Sequence, residues 1–263
     1  MLFFAEKITI PLIRRTNKKS VLEIGSSYGN SIRPILELGD VKVGIVDPCV
    51  DADLAAEFGE RITLYRDLSL AVLPLINESY DCIFIDGDHN WFTVFNELRI
   101  IEERNLLNPG GMIFVHDIGW PYGRRDMYYQ PEAIPAEFRN PHAQQGIQKG
   151  QRFLVAEGGF NSGHHNAIKE GGPRNGVLTA VEDYLKQGRQ QYHFVKDWRE
   201  FGFGILLNKS THNDWKMANA LRFGIFKQRS IDPLMHEWNK MIYGLRTSAA
   251  ANHVRKLRDF VVR

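Results

Sequence analysis

The stretch from Ser20 to Asn30 constrains the fold of this chain more than any other. Val21, Leu22 and Ile24 make the short apolar run of a buried strand. Gly25 and Gly29 then punctuate a loop, allowing backbone angles or close approaches that a side chain would forbid. Asn30 and Ser31 suit the cap of a following helix, and Pro34 in its first turn costs that helix no hydrogen bond. A strand that runs through a glycine-rich turn into a helix N-terminus makes a small-molecule site in an open α/β sheet, usually for a nucleotide-like ligand.

The alternation continues along the chain. Residues 41–46 (VKVGIV) read as a second strand ending in Asp47-Pro48, residues 53–58 as a polar helix and residues 61–65 as a third strand. Residues 68–76 suit a helix containing Pro74, and the strongly apolar strand at 80–85 (YDCIFI) runs into Asp86, Gly87, Asp88 and His89. Phe92, Phe95, Leu98 and Ile101, with Leu106 across a turn, recur at near-helical spacing in an amphipathic segment at 92–105. Asn108, Pro109, Gly110 and Gly111 then break the chain before a fifth strand at 112–115, which ends in His116-Asp117. This order predicts a parallel, doubly wound sheet with right-handed crossovers. Beyond it, residues 178–186 suit a helix, and residues 192–195 and 203–207 a terminal strand pair. At the other end, residues 3–15 suit either a short helix or an extended arm, and Pro11 leaves both open.

From Ile118 to about Pro173 the alternation stops. A structureless loop of that length is uncommon in a compact domain and is more often a binding lid than a linker. The expected organisation is an N-terminal arm (1–19), one domain (20–210) with a lid at about 118–175, and a helical C-terminal extension (211–263). A formal net charge of +2 over 263 residues gives no global field for nucleic acid. The apolar start is interrupted by Glu6, Lys7, Arg14 and Arg15, so neither a signal peptide nor a membrane span is expected. Cys49 and Cys82 lack metal or redox spacing and read as small buried hydrophobes of a cytoplasmic protein. From Trp215 onward ten Lys or Arg face three Asp or Glu, which suits a solvated helical face or the contact of a homo-oligomer.

The first loop narrows its own ligand. A dinucleotide fingerprint needs three glycines so that backbone amides close on a pyrophosphate, and here there are two, Gly25 and Gly29. Glu23 at the strand end repels a diphosphate but favours an ammonium group. Asp47 ends the second strand roughly twenty residues on, where an acidic side chain accepts hydrogen bonds from ribose hydroxyls. Ammonium plus ribose describes S-adenosylmethionine.

Four landmarks in order, at 21–29, 44–47, 84–89 and 107–117, make the chain resemble the class I S-adenosylmethionine-dependent methyltransferases over roughly residues 20–207. The resemblance implies a Rossmann-like seven-stranded sheet, mostly parallel, whose last strand runs antiparallel beside its predecessor. It also implies that Glu23, Gly25, Ser26, Ser27, Tyr28, Gly29 and Asp47 contact the cofactor, with Asp67 near the adenine and Asp86 beside the same pocket. The segment 85–89 with His116-Asp117 is similar to small-molecule O-methyltransferases of antibiotics and their sugars. There carboxylates after the fourth and fifth strands hold magnesium, and a histidine serves some members as base. Carried across, Asp86 and Asp117 become metal ligands, joined by His116 where acidic or amide ligands are commoner, and His89 becomes the base.

The chemistry agrees with that pattern. Methyl transfer from a sulfonium carbon leaves the protein to position and deprotonate a nucleophile, and a hydroxyl needs a histidine, a divalent cation or both. Asp88 and His89 also suit a plain helix-capping role. Within the lid, Trp120, Tyr122, Tyr128 and Tyr129 suit either a sugar or aromatic face or a small core of the lid's own. Arg124, Arg125 and Arg174 suit either a polar substrate or the tying of lid to body, and His164 and His165 either reach the site or lie on the surface. The expected activity is methyl transfer to a hydroxyl of a small molecule, a sugar or glycosylated metabolite, without nucleic acid or membrane. N-methylation, a dinucleotide-dependent oxidoreductase and a catalytically idle cofactor-binding protein are the alternatives.

Overall fold

The computed structural model describes residues 2–26, 32–50, 53–209 and 212–231. A helical run opens it: α1 (Leu2–Phe4), a π-helical stretch (Ala5–Thr9) and α2 (Ile10–Arg15), with Pro11 in the first turn of α2. Helix, not extended arm, is therefore the form of this segment. Then follow β1 (Ser20–Ile24), α3 (Arg33–Leu36), β2 (Lys42–Val46), α4 (Asp53–Phe58), β3 (Ile62–Tyr65), α5 (Ser69–Val72), β4 (Tyr80–Ile85), α6 (Trp91–Glu103) and β5 (Leu107–His116). The insertion holds β6 (Met127–Tyr128), β7 (His142–Gln144) and β8 (His165–Ala167), and the chain continues through α7 (Val177–Gln187), β9 (Tyr192–Asp197), β10 (Phe203–Asn208) and α8 (His212–Ile231).

Seven strands form one sheet in the order β3-β2-β1-β4-β5-β10-β9. β1 to β5 pair in parallel, and β10 lies antiparallel between β5 and β9. This is the seven-stranded Rossmann-like sheet with its antiparallel last strand. Chain order reverses between β1 and β4, and at such a switch point a crevice opens at the carboxyl ends of the strands. Alternate side chains of each strand enter opposite layers. Leu22, Ile24, Ile83, Ile85, Ile113 and Val115 pack with Val94, Leu98 and Ile101 of α6 and Val181 of α7. On the other face Val21, Val43, Ile45, Phe84 and Phe114 meet Phe4, Ile8 and Leu12 of the N-terminal run, Ile35 and Leu36 of α3, and Ala218 of α8. Burial on both faces is why these strands read as continuous apolar runs. At roughly 1.5–3 kcal/mol for each such side chain, against about 1 kcal/mol for a hydrogen bond, the central strands anchor the ground on which the site stands.

Two expectations are corrected here. The segment 108–111 does not precede the fifth strand as a break but belongs to it. Tyr80 pairs with Leu107 and Cys82 with Met112, so β5 holds extra residues opposite β4, and Gly110 at φ +71° absorbs them. Residues 118–175 are not structureless either, because β6, β8 and β7 form a three-stranded antiparallel sheet. Cys82 is buried as expected, whereas Cys49 lies exposed in the turn after Asp47. The expected caps Asn30 and Ser31 lie outside the described residues, as does the C-terminal extension after Ile231. Among the described residues no helix is long and apolar enough to cross a membrane.

One buried carboxylate joins the insertion to the sheet. Asp126 Oδ1 accepts the backbone N–H of Trp91, at the start of α6, and that of Gly176, just before α7, each at 2.7 Å. Its Oδ2 accepts the Tyr128 hydroxyl and Asn140 Nδ2, each at 2.8 Å. Two helix N-termini thus share one negative charge, which satisfies orphan N–H groups of both. Asn175 Oδ1 completes the junction by accepting the Asp126 N–H at 2.7 Å.

Glu97 faces inward from α6 and is fully buried. Burial pushes its pKa from 4.5 up to about 8, with the Ser69 hydroxyl offsetting only part of the effect. A raised carboxyl pKa leaves stability intact below the unfolded value and removes it as pH climbs through the window between 4.5 and about 8. Glu97→Gln is therefore expected to leave Tm almost unchanged near the lower end of that window and to raise it by several degrees at the upper end. Thermal unfolding at both pH values checks this.

Candidate active site

The chemistry gathers at the carboxyl ends of five adjacent parallel strands. β1 carries Glu23 and leads into Gly25 and Ser26, while Asp47 follows β2 and Asp67 follows β3. Asp86 follows β4, and β5 ends in His116 before Asp117. Glu23 is buried opposite Ile45 of β2 and Phe84 of β4. Asp47 is buried, and its Oδ1 accepts the Cys49 N–H at 2.7 Å. Asp67 is exposed and caps the N–H of Leu68. Ser26 Oγ is buried with no hydrogen-bond partner. Ser27, Tyr28 and Gly29 lie outside the described residues.

Gly25 needs to be glycine for two separate reasons. Its φ is +84°, and a Cβ there would collide with the Cα and N of Gly87. The turns after β1 and β4 therefore touch backbone to backbone. The constraint is one-sided, because a Cβ on Gly87 would meet Gly25 at an ordinary 3.5 Å.

Asp117 turns sharply off β5 at φ +60°. Its Oδ2 lies 2.8 Å from His116 Nδ1 and 2.9 Å from His89 Nε2, and His116 Nδ1 is also 3.1 Å from Asp86 Oδ1. The carboxylate is held far below the usual range: burial opposes ionisation, and the two imidazoles overcome it. For His116, burial favours the neutral ring, but Asp86 and Asp117 outweigh it and raise the pKa to about 9. His89 is likewise lowered by burial and raised by Asp117, Asp86 and Asp88, with a net upward shift. Facing a carboxylate, His89 Nε2 carries the proton, and its buried Nδ1 has no partner. The result is an oriented imidazole with one basic nitrogen.

Asp88 takes no part in that cluster. Its carboxylate accepts Thr93 Oγ1 at 2.8 Å, Asn90 Nδ2 at 2.7 Å and the His89 N–H at 3.2 Å, which is the capping role around the start of α6. Asp86, His116 and Asp117 offer three ligand atoms within 4.8 Å of one another. Magnesium asks for near-octahedral hard oxygen. Here one donor is an imidazole nitrogen that already bridges both carboxylates, and Asp117 Oδ2 serves two imidazoles. This donor set does not fit magnesium.

The lid residues separate by use. Tyr122 is buried with its hydroxyl accepting from Asn161 Nδ2 at 2.6 Å, and Tyr128 is buried on Asp126. Trp120 packs on Phe160. Arg124 holds Glu182 at 2.7 Å and Thr179 at 3.0 Å, fully buried Arg125 donates to backbone carbonyls of Ala167 and Arg152, and Arg174 lies over Trp91 and Phe138. The arginines thus tie the lid to its surroundings. His165 joins Gln144 and His142 in the lid sheet, whereas His164 packs against Tyr129 with ring centroids 5.6 Å apart. Tyr129 is 55% exposed, stands 5.9 Å from the His89 ring, and completes an aromatic rim with Tyr122 at 5.3 Å. Nothing in the residue pattern distinguished Tyr129 from its neighbours, because its exposure depends on the lid's tertiary path.

Residues 22–118 match a family model described as a methyltransferase domain. No curated protein matches the chain. Among solved structures, it is similar to the 1,6-didemethyltoxoflavin-N1-methyltransferase of Burkholderia thailandensis with bound 1,6-didemethyltoxoflavin and S-adenosylhomocysteine. The identity is 14%, over 79% of this chain and 78% of that one, with a TM-score of 0.47. It is also similar to the O-methyltransferase TomG of tomaymycin synthesis from Streptomyces achromogenes in complex with SAM, at 14% identity over 75% and 76% of the chains and a TM-score of 0.44. A third is the O-methyltransferase from Bacillus cereus in complex with SAH, at 15% identity over 79% and 80%, with a TM-score of 0.42.

The contact between Gly25 and Gly87 yields a direct test. Gly25→Ala is expected to lower the denaturant midpoint far more than Gly39→Ala, since Gly39 has φ +94° but open space around it. The second variant bears only the left-handed penalty of about 1–2 kcal/mol. Urea unfolding of the two variants reads the difference.

Proposed function

With a methyltransferase domain at residues 22–118, we propose that this protein transfers a methyl group from S-adenosylmethionine to a hydroxyl of a small molecule, a sugar or glycosylated metabolite. The observation that carries the reading is His89: a buried imidazole, oriented by Asp117 through Nε2, with an unpartnered Nδ1, beside the ends of the strands that place Glu23, Ser26 and Asp47.

The residues present fit the cofactor. Ser26 Oγ is a buried polar atom without a partner, and Gly25 beside it admits no Cβ. Glu23 and Asp47 would supply carboxylates for an ammonium group and a ribose, and Asp67 and Asp86, which follow β3 and β4, stand at the same end of the sheet. When bound, S-adenosylmethionine supplies a methyl group on a positively charged sulfur, activated without help from the protein. What remains for this chain is to hold the acceptor in line and to take its proton. His89 Nδ1 accepts that proton, and Asp117 stabilises the imidazolium that results. The exposed ring of Tyr129 beside His89 suits the apolar face of a sugar ring.

Calorimetry is expected to show S-adenosylhomocysteine binding to the wild type and, with the same Kd, to His89→Ala. Absence of binding to the wild type defeats the reading. Methyl transfer from labelled S-adenosylmethionine to a hydroxylated acceptor is expected to fall by about 10²–10⁴-fold in His89→Ala. Because the base must be neutral, the wild-type rate is expected to rise with pH through an apparent pKa above 6.5, as the upward shift of His89 requires.

A further inference from the structure

The cluster after β4 and β5 has the outline of a metal site with an imidazole at its centre. Where a divalent ion would bridge the two carboxylates, the structure has the imidazole of His116, with Nδ1 at 3.1 Å from Asp86 Oδ1 and 2.8 Å from Asp117 Oδ2. The far sides of the ring are enclosed by phenyl groups. Phe4 stands at 5.8 Å and 68°, Phe201 at 6.2 Å and 69°, and Phe203 at 6.5 Å and 62°. Two carboxylates on one side and three phenyl groups on the others hold the ring in place. The cage is itself braced, because Phe4 stacks on Phe203 at 4.6 Å and 9°, and Phe203 lies against Phe114.

We propose that His116 takes the place of a metal ion in this site: its Nδ1–H bridges Asp86 and Asp117 in the position a divalent ion would occupy, and the protein works without one. The donor set argues for it directly. A metal at that point would have to displace the Nδ1 proton from between two carboxylates and win Asp117 Oδ2 from His89 Nε2, which lies 2.9 Å away. Mutual repulsion of Asp86 and Asp117 is relieved by His116, and Asp117 stays aimed at His89. Phe4 then becomes a positioning residue, since the N-terminal run supplies one wall of the cage. The inference rests on the methyltransferase reading only for the use made of His89; the absence of a bound ion is testable without any acceptor.

The test uses the full chain, titrated with Mn²⁺ followed by electron paramagnetic resonance, and with Zn²⁺ and Mg²⁺ by calorimetry. The wild type is expected to take up none of the three in stoichiometric amount. His116→Asp places a third hard oxygen donor at the centre and is expected to bind one Mn²⁺ per chain, displaced by Mg²⁺ and lost again when Asp86→Asn is added. Stoichiometric uptake by the wild type that His116→Asn abolishes overturns the proposal. So does a His116→Asp variant with wild-type circular dichroism that takes up no ion. Should that variant not fold, the wild-type titrations decide alone, because one ion per chain lost in Asp117→Asn overturns the proposal and no uptake upholds it. Calorimetry with S-adenosylhomocysteine on the same samples keeps the two readings apart. Failure to bind it counts against methyl transfer and leaves the metal result standing.

Discussion

A single negative charge, the carboxylate of Asp126, governs how the insertion meets the sheet. It lies at the junction of α6, α7 and the lid and accepts four hydrogen bonds, two of them from backbone N–H groups at the starts of the two helices. Burying a charge is costly unless such donors surround it. Here the donors come from elements far apart in sequence, so the carboxylate is satisfied only when all of them are in place. The path of residues 127–129, and with it the position of Tyr129 over His89, follows from that condition.

At the mouth of the sheet the same economy of charge recurs. Asp117 serves two imidazoles with one oxygen, and His116 serves two carboxylates with one nitrogen. For Asp117, His116 and His89 the charged neighbours outweigh burial, and His89 keeps one nitrogen engaged and the other without a partner. Around this cluster the N-terminal run closes the lower side, and the contact of Gly25 with Gly87 sets the spacing of the turns above β1 and β4.

Much of this was legible in the residues because the determinants are local. The runs at 21–24, 42–46 and 80–85 are apolar on both faces of the sheet, so each announces a central parallel strand. The acidic residues Asp47, Asp86 and Asp117 each stand just past a strand, and parallel topology alone carries them to one edge. What escaped was set by contacts between distant segments. Nothing local marks residues 118–175 as a small sheet, because its order depends on Asp126 reaching Trp91 and Gly176. The lid arginines have the same character as ligand-reading arginines until their partners, Glu182, Ala167 and Trp91, are in view. Gly110 at positive φ hid the true start of β5, since a loop and an irregular strand use the same residues.

A lid stitched at its middle to two helix starts is a wall, not a door. To swing, it would have to uncap α6 and α7 together and leave a buried carboxylate without partners. Selection among acceptors then works as a mould does, by the shape offered before anything has bound. Under the proposed methyl transfer, the breadth of what this protein accepts lies in the side chains around His89, and widening it means recarving them residue by residue.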